Sequence, residues 1–178
     1  MIRYAMAVDT ARCVGCSACA IACKTENRVP NGSYRSWVVQ ETTGRFPALH
    51  LEILSERCNQ CDRAPCVAAC PTGASFVAEG GIVAVDRDKC TGCKACLSAC
   101  AYGARFIHPD GYADKCNFCL HRVRKGLEPA CVENCPARAL TFGDLRDPGS
   151  EISRVLDGRR QKVLKPEAGT RPQVVFLE

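Results

Sequence analysis

The sequence predicts an α+β fold: two small modules organised by bound metal, a β insert, and an extended C-terminal tail. Three observations lead there. The 178 residues include 16 cysteines, roughly 9%, a level at which cysteine itself organises structure. They fall into four groups of four with none left over. The apolar runs flanking those groups are short, of strand or single-helix length. The 47% hydrophobic content includes the cysteines; without them it is roughly 38%, against a usual 45–50%. The ordinary core is thin, so something bound to sulfur must add cohesion.

Several classes fall at once. The longest apolar stretches are of the size of Val174-Val175-Phe176-Leu177, far too short to span a bilayer. The N-terminal MIRYAMAVDTARC lacks the apolar core of a secretory signal. Six Phe, four Tyr and one Trp argue against a surface for stacking bases.

Taken along the sequence, Met6 to Asp9 reads as a strand entering the first group: Cys13, Cys16, Cys19 and Cys23. Ala18 to Asn27 reads as the helix leaving it. A cysteine-free insert follows, with strands around Trp37–Val39 and Leu49–Ile53. The second group is Cys58, Cys61, Cys66 and Cys70, followed by Pro71. Phe76 to Ala78, Gly80-Gly81, then Ile82 to Val85 is a hairpin pattern leading to the third group. That group is Cys90, Cys93, Cys96 and Cys100, with a helix over Ala95 to Tyr102. Arg105–Ile107 and Leu140–Phe142 read as closing strands around the fourth group, Cys116, Cys119, Cys131 and Cys135, followed by Pro136. A charged tail holds one helix, Glu151 to Leu156.

The spacing carries chemistry. The first and third groups read C-x2-C-x2-C-x3-C. Three cysteines two residues apart let one loop offer thiolates to one face of a cubane. The fourth sits on the following helix and reaches a neighbouring cluster, as in two-cluster ferredoxins. Zinc and disulfides are the competing readings. Zinc ribbons use two separated C-x2-C pairs and need no third cysteine two residues on. Disulfide frameworks suit shorter chains with scattered spacings. The spacing therefore points to 4Fe–4S clusters. An ungapped repeat supports this: AVDTARCVGCSACAIAC from Ala7 matches AVDRDKCTGCKACLSAC from Ala84 at ten of seventeen positions. Gly15 and Gly92 fall where the loop must turn sharply or bulk would meet the cluster.

Charge bears on partners. The chain is +5, from 24 basic and 19 acidic residues. Four oxidised cubanes, each about −2 with its thiolates, bring the holo-protein near −3. The basic surface is then compensation for anionic clusters and no evidence for nucleic acid. His121-Arg122-Val123-Arg124-Lys125 reads as charge offset or subunit contact, and Arg159, Arg160 and Lys162 as a solvated or docking face. His50, His108 and His121 are isolated, so no catalytic constellation is expected.

The ordered groups, with CVGCSACAIACKTEN, CNQCDRAPCVAACPTGA, CTGCKACLSACAYGARF, KCNFCLHRVRKGLEPACVENCP, FGDLRDP and LKPEAGTRP, resemble the four-cluster iron–sulfur subunits of molybdopterin oxidoreductases. The short path from Cys100 to Cys116 leans toward the polysulfide and thiosulfate reductase type. The resemblance implies two ferredoxin-like modules and settles a pairing that spacing leaves open. One module, residues 1–28 with 111–145, joins the first and fourth groups; the other, 55–110, joins the second and third. Residues 29–54 form the β insert and 146–178 a docking tail.

Carried onto these residues, the family pairing gives four ligand sets: Cys13, Cys16, Cys19 and Cys135; Cys58, Cys61, Cys66 and Cys100; Cys90, Cys93, Cys96 and Cys70; and Cys116, Cys119, Cys131 and Cys23. It implies four 4Fe–4S clusters and electron transfer between a molybdopterin catalytic subunit and an integral membrane quinone-binding subunit in anaerobic respiration. The protein would have no catalysis of its own and no membrane span. It would lie peripheral to the cytoplasmic membrane, on the periplasmic face by co-export, with the cytoplasmic face as the alternative. A free soluble polyferredoxin is the competing function. The insert around Trp37 and the tail from Asp144 are the docking candidates. Ala101 stands where relatives often carry Pro; its N–H is expected to donate to Cys100 sulfur and raise that cluster's potential.

Overall fold

The computed structural model describes residues 2–178. In chain order the strands are β1 (Tyr4–Asp9), β2 (Ser36–Arg45), β3 (Ala48–Arg57), β4 (Ser75–Val77), β5 (Val83–Val85), β6 (Phe106–Ile107), β7 (Ala113–Asp114), β8 (Leu140–Asp144), β9 (Gln161–Lys162) and β10 (Val174–Leu177). The helices are α1 (Ala18–Glu26), α2 (Pro65–Ala68), α3 (Ala95–Ser98), α4 (Leu120–Val123), α5 (Ala130–Glu133) and α6 (Glu151–Leu156).

Strands and helices mix in the α+β manner, with the largest sheet in the order β8-β1-β10-β9. β1 pairs antiparallel with β8 and parallel with β10. Both central strands are apolar: Met6, Val8, Val174 and Phe176 are essentially inaccessible and share one core with Leu54, Phe118 and Leu140. Ala5, Ala7 and Leu177 look to the other face, where Ile152 of α6 covers them. Ser150 caps α6, its hydroxyl accepting from the Ser153 N–H at 3.3 Å, as a good N-cap residue does.

Residues 146–178, expected as a docking tail, also build the core. β10 lies between β1 and β9, and the segment preceding it runs across the second cysteine group. There the Asp62 and Arg63 N–H groups donate to the Arg171 and Thr170 carbonyls at 2.9 and 3.0 Å. Four apolar residues at the end of a charged stretch are a buried strand, because the partner strand supplies the other half of the ladder.

The insert is one long hairpin, β2 with β3, in register from Ser36 opposite Arg57 to Arg45 opposite Ala48. Its base is buried and its tip stands in solvent; Phe46 is 89% exposed. Trp37 packs against the core, and its Nε1 donates to Glu56 Oε2 at 3.1 Å. The tip, rather than Trp37, is the part of the insert free to meet a partner.

The remaining sheets are two-stranded: β4 with β5 around Gly80-Gly81, and β6 with β7. α3 stops at Ser98 instead of running to Tyr102. The Ala99 N–H still reaches the Ala95 carbonyl, but the Cys100 N–H closes a tighter bond to Leu97 at 3.2 Å. That tightening ends the helix and turns the backbone at Cys100.

Candidate metal centres

Each cysteine loop is shaped by its backbone. Gly15 and Gly92 have φ of +69° and +67°, a region that costs glycine little. A Cβ at Gly92 would stand 2.4 Å from the Gly111 carbonyl oxygen. Ser17 and Lys94, equivalent in the repeat, take φ of 61° and 64° immediately before α1 and α3. The repeat in sequence is thus a repeat in conformation, and it aims three thiols of each loop inward.

The fold brings distant cysteines together. Cys13, Cys16 and Cys19 line one space with Cys135, and Cys116, Cys119 and Cys131 line another with Cys23. Cys90, Cys93 and Cys96 line a third with Cys70. The three spaces are similar in volume, about 330, 270 and 310 Å³. Cys61 has Cys58, Cys66 and Cys100 as its thiol neighbours. In each of these spaces three cysteines of one group stand beside the fourth cysteine of another.

All sixteen cysteines are free thiols. Among the described residues, no three of His, Cys, Asp and Glu converge on a single metal ion. Cysteines gathered in fours without converging on one point suit a polynuclear cluster better than a tetrahedral zinc or a disulfide. Burial pushes the Cys116 thiol up to about 12 and the Cys61 thiol up to about 11. Burial raises Cys23 and Cys131 as well, with the Arg57 guanidinium opposing the rise at Cys131. Such thiols stay protonated until a metal takes the thiolates, so metal loading releases protons and completes folding.

Hydrogen bonds to sulfur are abundant. Backbone N–H groups of Ser75, Ala113 and Ala139 donate to Cys70, Cys90 and Cys135 at 3.3 Å each, and Phe118 to Cys116 at 3.5 Å. Asn27 Nδ2 lies 3.6 Å from both Cys23 and Cys119. Its amide is fixed by Arg35, which donates to Asn27 Oδ1 at 2.8 Å and pairs with Asp114. At Cys70, burial alone would raise the thiol, but donation from Ser75 and Thr72 brings it below its ordinary value. The Ala101 N–H makes no such bond. Its carbonyl instead accepts from Lys165 Nζ at 2.6 Å, so the expected donor to Cys100 is absent among the described residues.

Two buried arginines complete the surroundings, and sequence reasoning does not find either. Arg57 is 1% exposed and Arg105 is 7% exposed. Arg57 Nη1 donates to Cys131 Sγ at 3.2 Å, and Arg105 Nη2 donates to Cys66 Sγ at 2.9 Å. Both keep a buried Nε–H without a partner among the described residues. Inorganic sulfide is an acceptor that such donors lack, so these residues fit an iron–sulfur cluster. In sequence each looks like an ordinary basic residue; the only signal is that each borders a buried cysteine or apolar strand.

The other candidates settle into plain roles. His121 and Arg122 pair with Glu26 at 2.6 and 3.2 Å, and Arg124 pairs with Glu79. Arg159 holds Asp9 at 2.5 Å, Arg160 holds Glu178 at 3.0 Å and Lys162 holds Glu52 at 2.8 Å. These cations staple the tail and loops to the modules. His108 stacks on Tyr112 at 4.6 Å, and His50 is an exposed residue of β3. No helix among the described residues is long and apolar enough to cross a membrane.

Thiol quartets, interlocked in pairs and lined with donors to sulfur, define an iron–sulfur protein that moves electrons. Comparison with known proteins agrees. Two 4Fe-4S dicluster domain families match residues 49–145 and 12–74. The B component of tetrathionate reductase from Salmonella typhimurium is 47% identical over 98% of this sequence and 72% of its own length. The B component of polysulfide reductase from Wolinella succinogenes is 45% identical over 98% of this sequence and 94% of its own. Protein NrfC of Escherichia coli is 47% identical over 97% of this sequence and 79% of its own. This protein belongs to the 4Fe-4S dicluster family, among the iron–sulfur electron-transfer subunits of molybdopterin oxidoreductases. It is an electron-transfer subunit of a reductase, not a catalytic one.

Proposed function

We propose that the protein holds four 4Fe–4S clusters in a line, in the order of the Cys13, Cys116, Cys58 and Cys90 sets. The line carries electrons between a molybdopterin catalytic subunit and a membrane quinone-handling subunit. One observation carries the order: the inner sets are the buried ones. Cys23, Cys116, Cys119 and Cys131 are all buried, as are Cys58, Cys61 and Cys66. The exposed thiols, Cys16 and Cys93, belong to the two end sets. Cys58 is near enough to Cys116 to add to the rise of its pKa, which supports placing the two inner sets next to each other.

When bound, each cluster supplies one reversible one-electron step. The protein holds each thiolate set, keeps water from the inner pair and leaves both ends open to partners. At one end, Val14 and Ile21, 65% and 63% exposed, border the Cys13 set. Such apolar groups beside an exposed ligand suit a docking face. Relatives named for tetrathionate and polysulfide reductases support a sulfur-compound reductase in anaerobic respiration. The complex would sit at the cytoplasmic membrane, on its periplasmic face.

Anaerobic purification tests this. About sixteen irons per chain and four reducible clusters by EPR are expected, with a molybdenum-containing subunit co-purifying. A stable lone monomer carrying four clusters would instead establish a free polyferredoxin.

A further inference from the structure

The buried inner sets pose an electrostatic problem. Reduction adds negative charge, and burial in a low-dielectric interior disfavours the added charge. Two inner clusters of lower potential than their neighbours would be barriers in the middle of the line. The molecule places a guanidinium at each of them.

In the first module Arg57 donates to Cys131 of the inner Cys116 set. It also donates to the Ser55 carbonyl at 3.3 Å and to the Ser55 hydroxyl. That hydroxyl lies 3.2 Å from Cys19 Sγ of the outer Cys13 set. In the second module Arg105 donates to Cys66 of the inner Cys58 set and to the Ser75 hydroxyl at 2.7 Å. The Ser75 N–H donates to Cys70 Sγ of the outer Cys90 set at 3.3 Å. The two bridges run in the same order, inner thiolate, arginine, serine, outer thiolate; the last link is the hydroxyl at Ser55 and the backbone N–H at Ser75. They do not come from the sequence repeat, since Arg57 closes β3 and Arg105 precedes β6. The same solution is reached from unrelated segments.

Among the described residues, neither arginine has a carboxylate partner. Arg57 bonds there to Met6, Cys131 and Ser55, and Arg105 to Ser75 and Cys66. Arg35, by contrast, is paired with Asp114. A buried cation without a carboxylate is costly unless another anion compensates it. The thiolates are the anions in reach.

We infer that Arg57 and Arg105 are potential-setting residues that level the line, raising the two buried inner clusters toward the outer ones. The inference rests on the proposed ligand sets. Each guanidinium favours the reduced, more negative state of the cluster it touches. The effect is strongest at the inner cluster and weaker, through serine, at the outer one.

The test is a mediated dithionite titration of the intact holo-protein followed by EPR, with iron content measured on the same samples. Arg105→Gln should shift the reduction equilibrium of the Cys58-set cluster at least tenfold toward the oxidised state, about 59 mV for one electron. The Cys90-set cluster should move less and the other two not at all. Arg57→Gln should produce the mirror result at the Cys116 set. Arg105→Lys and Arg57→Lys, which keep the charge, should recover most of each shift. Full iron with unmoved potentials overturns the inference while leaving the ligand sets standing. Equal shifts for Lys and Gln overturn it too, because a packing defect does not read charge. Should a Gln variant fail to load iron, Ser75→Ala and Ser55→Ala take its place. A smaller shift in the same direction at the same clusters supports the inference, and no shift overturns it. Loss of iron from cysteine variants of the assigned sets is a separate result and bears on the ligand reading alone.

Discussion

The two modules bind the same kind of group with very different amounts of protein. The module built on β1 has a four-stranded sheet, the six-residue α6 on its outer face and the nine-residue α1 beside its cysteines. The module around β4 and β5 has that one two-stranded sheet within residues 55–110, and no helix longer than the four residues of α2 and α3. Helices that short are not stable alone. The difference bears on where cohesion comes from. The module on β1 has its own sheet core, whereas residues 55–110 contribute Ile82 and Ala104 to that core and keep only the small group around Val83. They are therefore expected to lean more on bound clusters.

Removing iron is the harshest way to expose that difference. Anaerobic chelation should abolish amide exchange protection throughout residues 55–110, while β1, β8 and β10 keep measurable protection. Equal loss in both halves would erase the distinction.

Core truncation comes next. Phe176→Ala empties a fully buried site between β1 and β9 and should cost about 3–5 kcal/mol in denaturant unfolding. Val83→Ala on β5, equally inaccessible but in the smaller buried group, should cost only about 1 kcal/mol. Comparable losses at both would show that the second module has a conventional core after all.

Acid probes the staple between tail and sheet. The hydrogen bond from Arg159 holds the Asp9 carboxyl below its ordinary value of 3.8. A carboxyl lowered on folding stabilises fully above its unfolded pKa, and the contribution disappears as pH falls through the lower folded value. Arg159→Ala should therefore weaken the fold by up to about 1 kcal/mol at neutral pH. The difference should begin to shrink as pH falls below about 3.8 and close only once pH has passed beneath the lower folded value. A difference that persists in acid would assign Arg159 a packing role.

The smallest effect is expected at Ala101. Its N–H gives no bond to Cys100 sulfur, so Ala101→Pro should leave the potential of the Cys100 cluster where it is, read by the same EPR titration. A fall there would restore the donor expected from the family resemblance.

Much of this arrangement is legible in the residues, for physical reasons. C-x2-C-x2-C loops and Gly80-Gly81 are local signals, and local signals fix the local elements β4, β5 and α1. That the fourth cysteine reaches a neighbouring cluster is an expectation from spacing, but which groups pair comes from family resemblance, since no spacing dictates it. The pairing of β10 with β1 is hidden because it joins Val174 to Met6, ends of the protein with no pattern in common. The full length of β2 and β3 escapes the sequence because the outer strand residues, such as Glu41, Thr42 and Thr43, are polar and exposed. Arg57 and Arg105 are invisible for a third reason. Their burial is meaningful only beside anions that folding assembles around them.

The seat of β10 between β1 and β9 has a consequence for how the protein is made. Residues 55–110 emerge from the ribosome as a contiguous block and can take up metal while synthesis continues. The other half waits, because its sheet needs Val174–Leu177 beside Tyr4–Asp9. Domains fold as they emerge, so the half built on β1 closes only after Val174–Leu177 have left the ribosome, far later in synthesis than the strand they join.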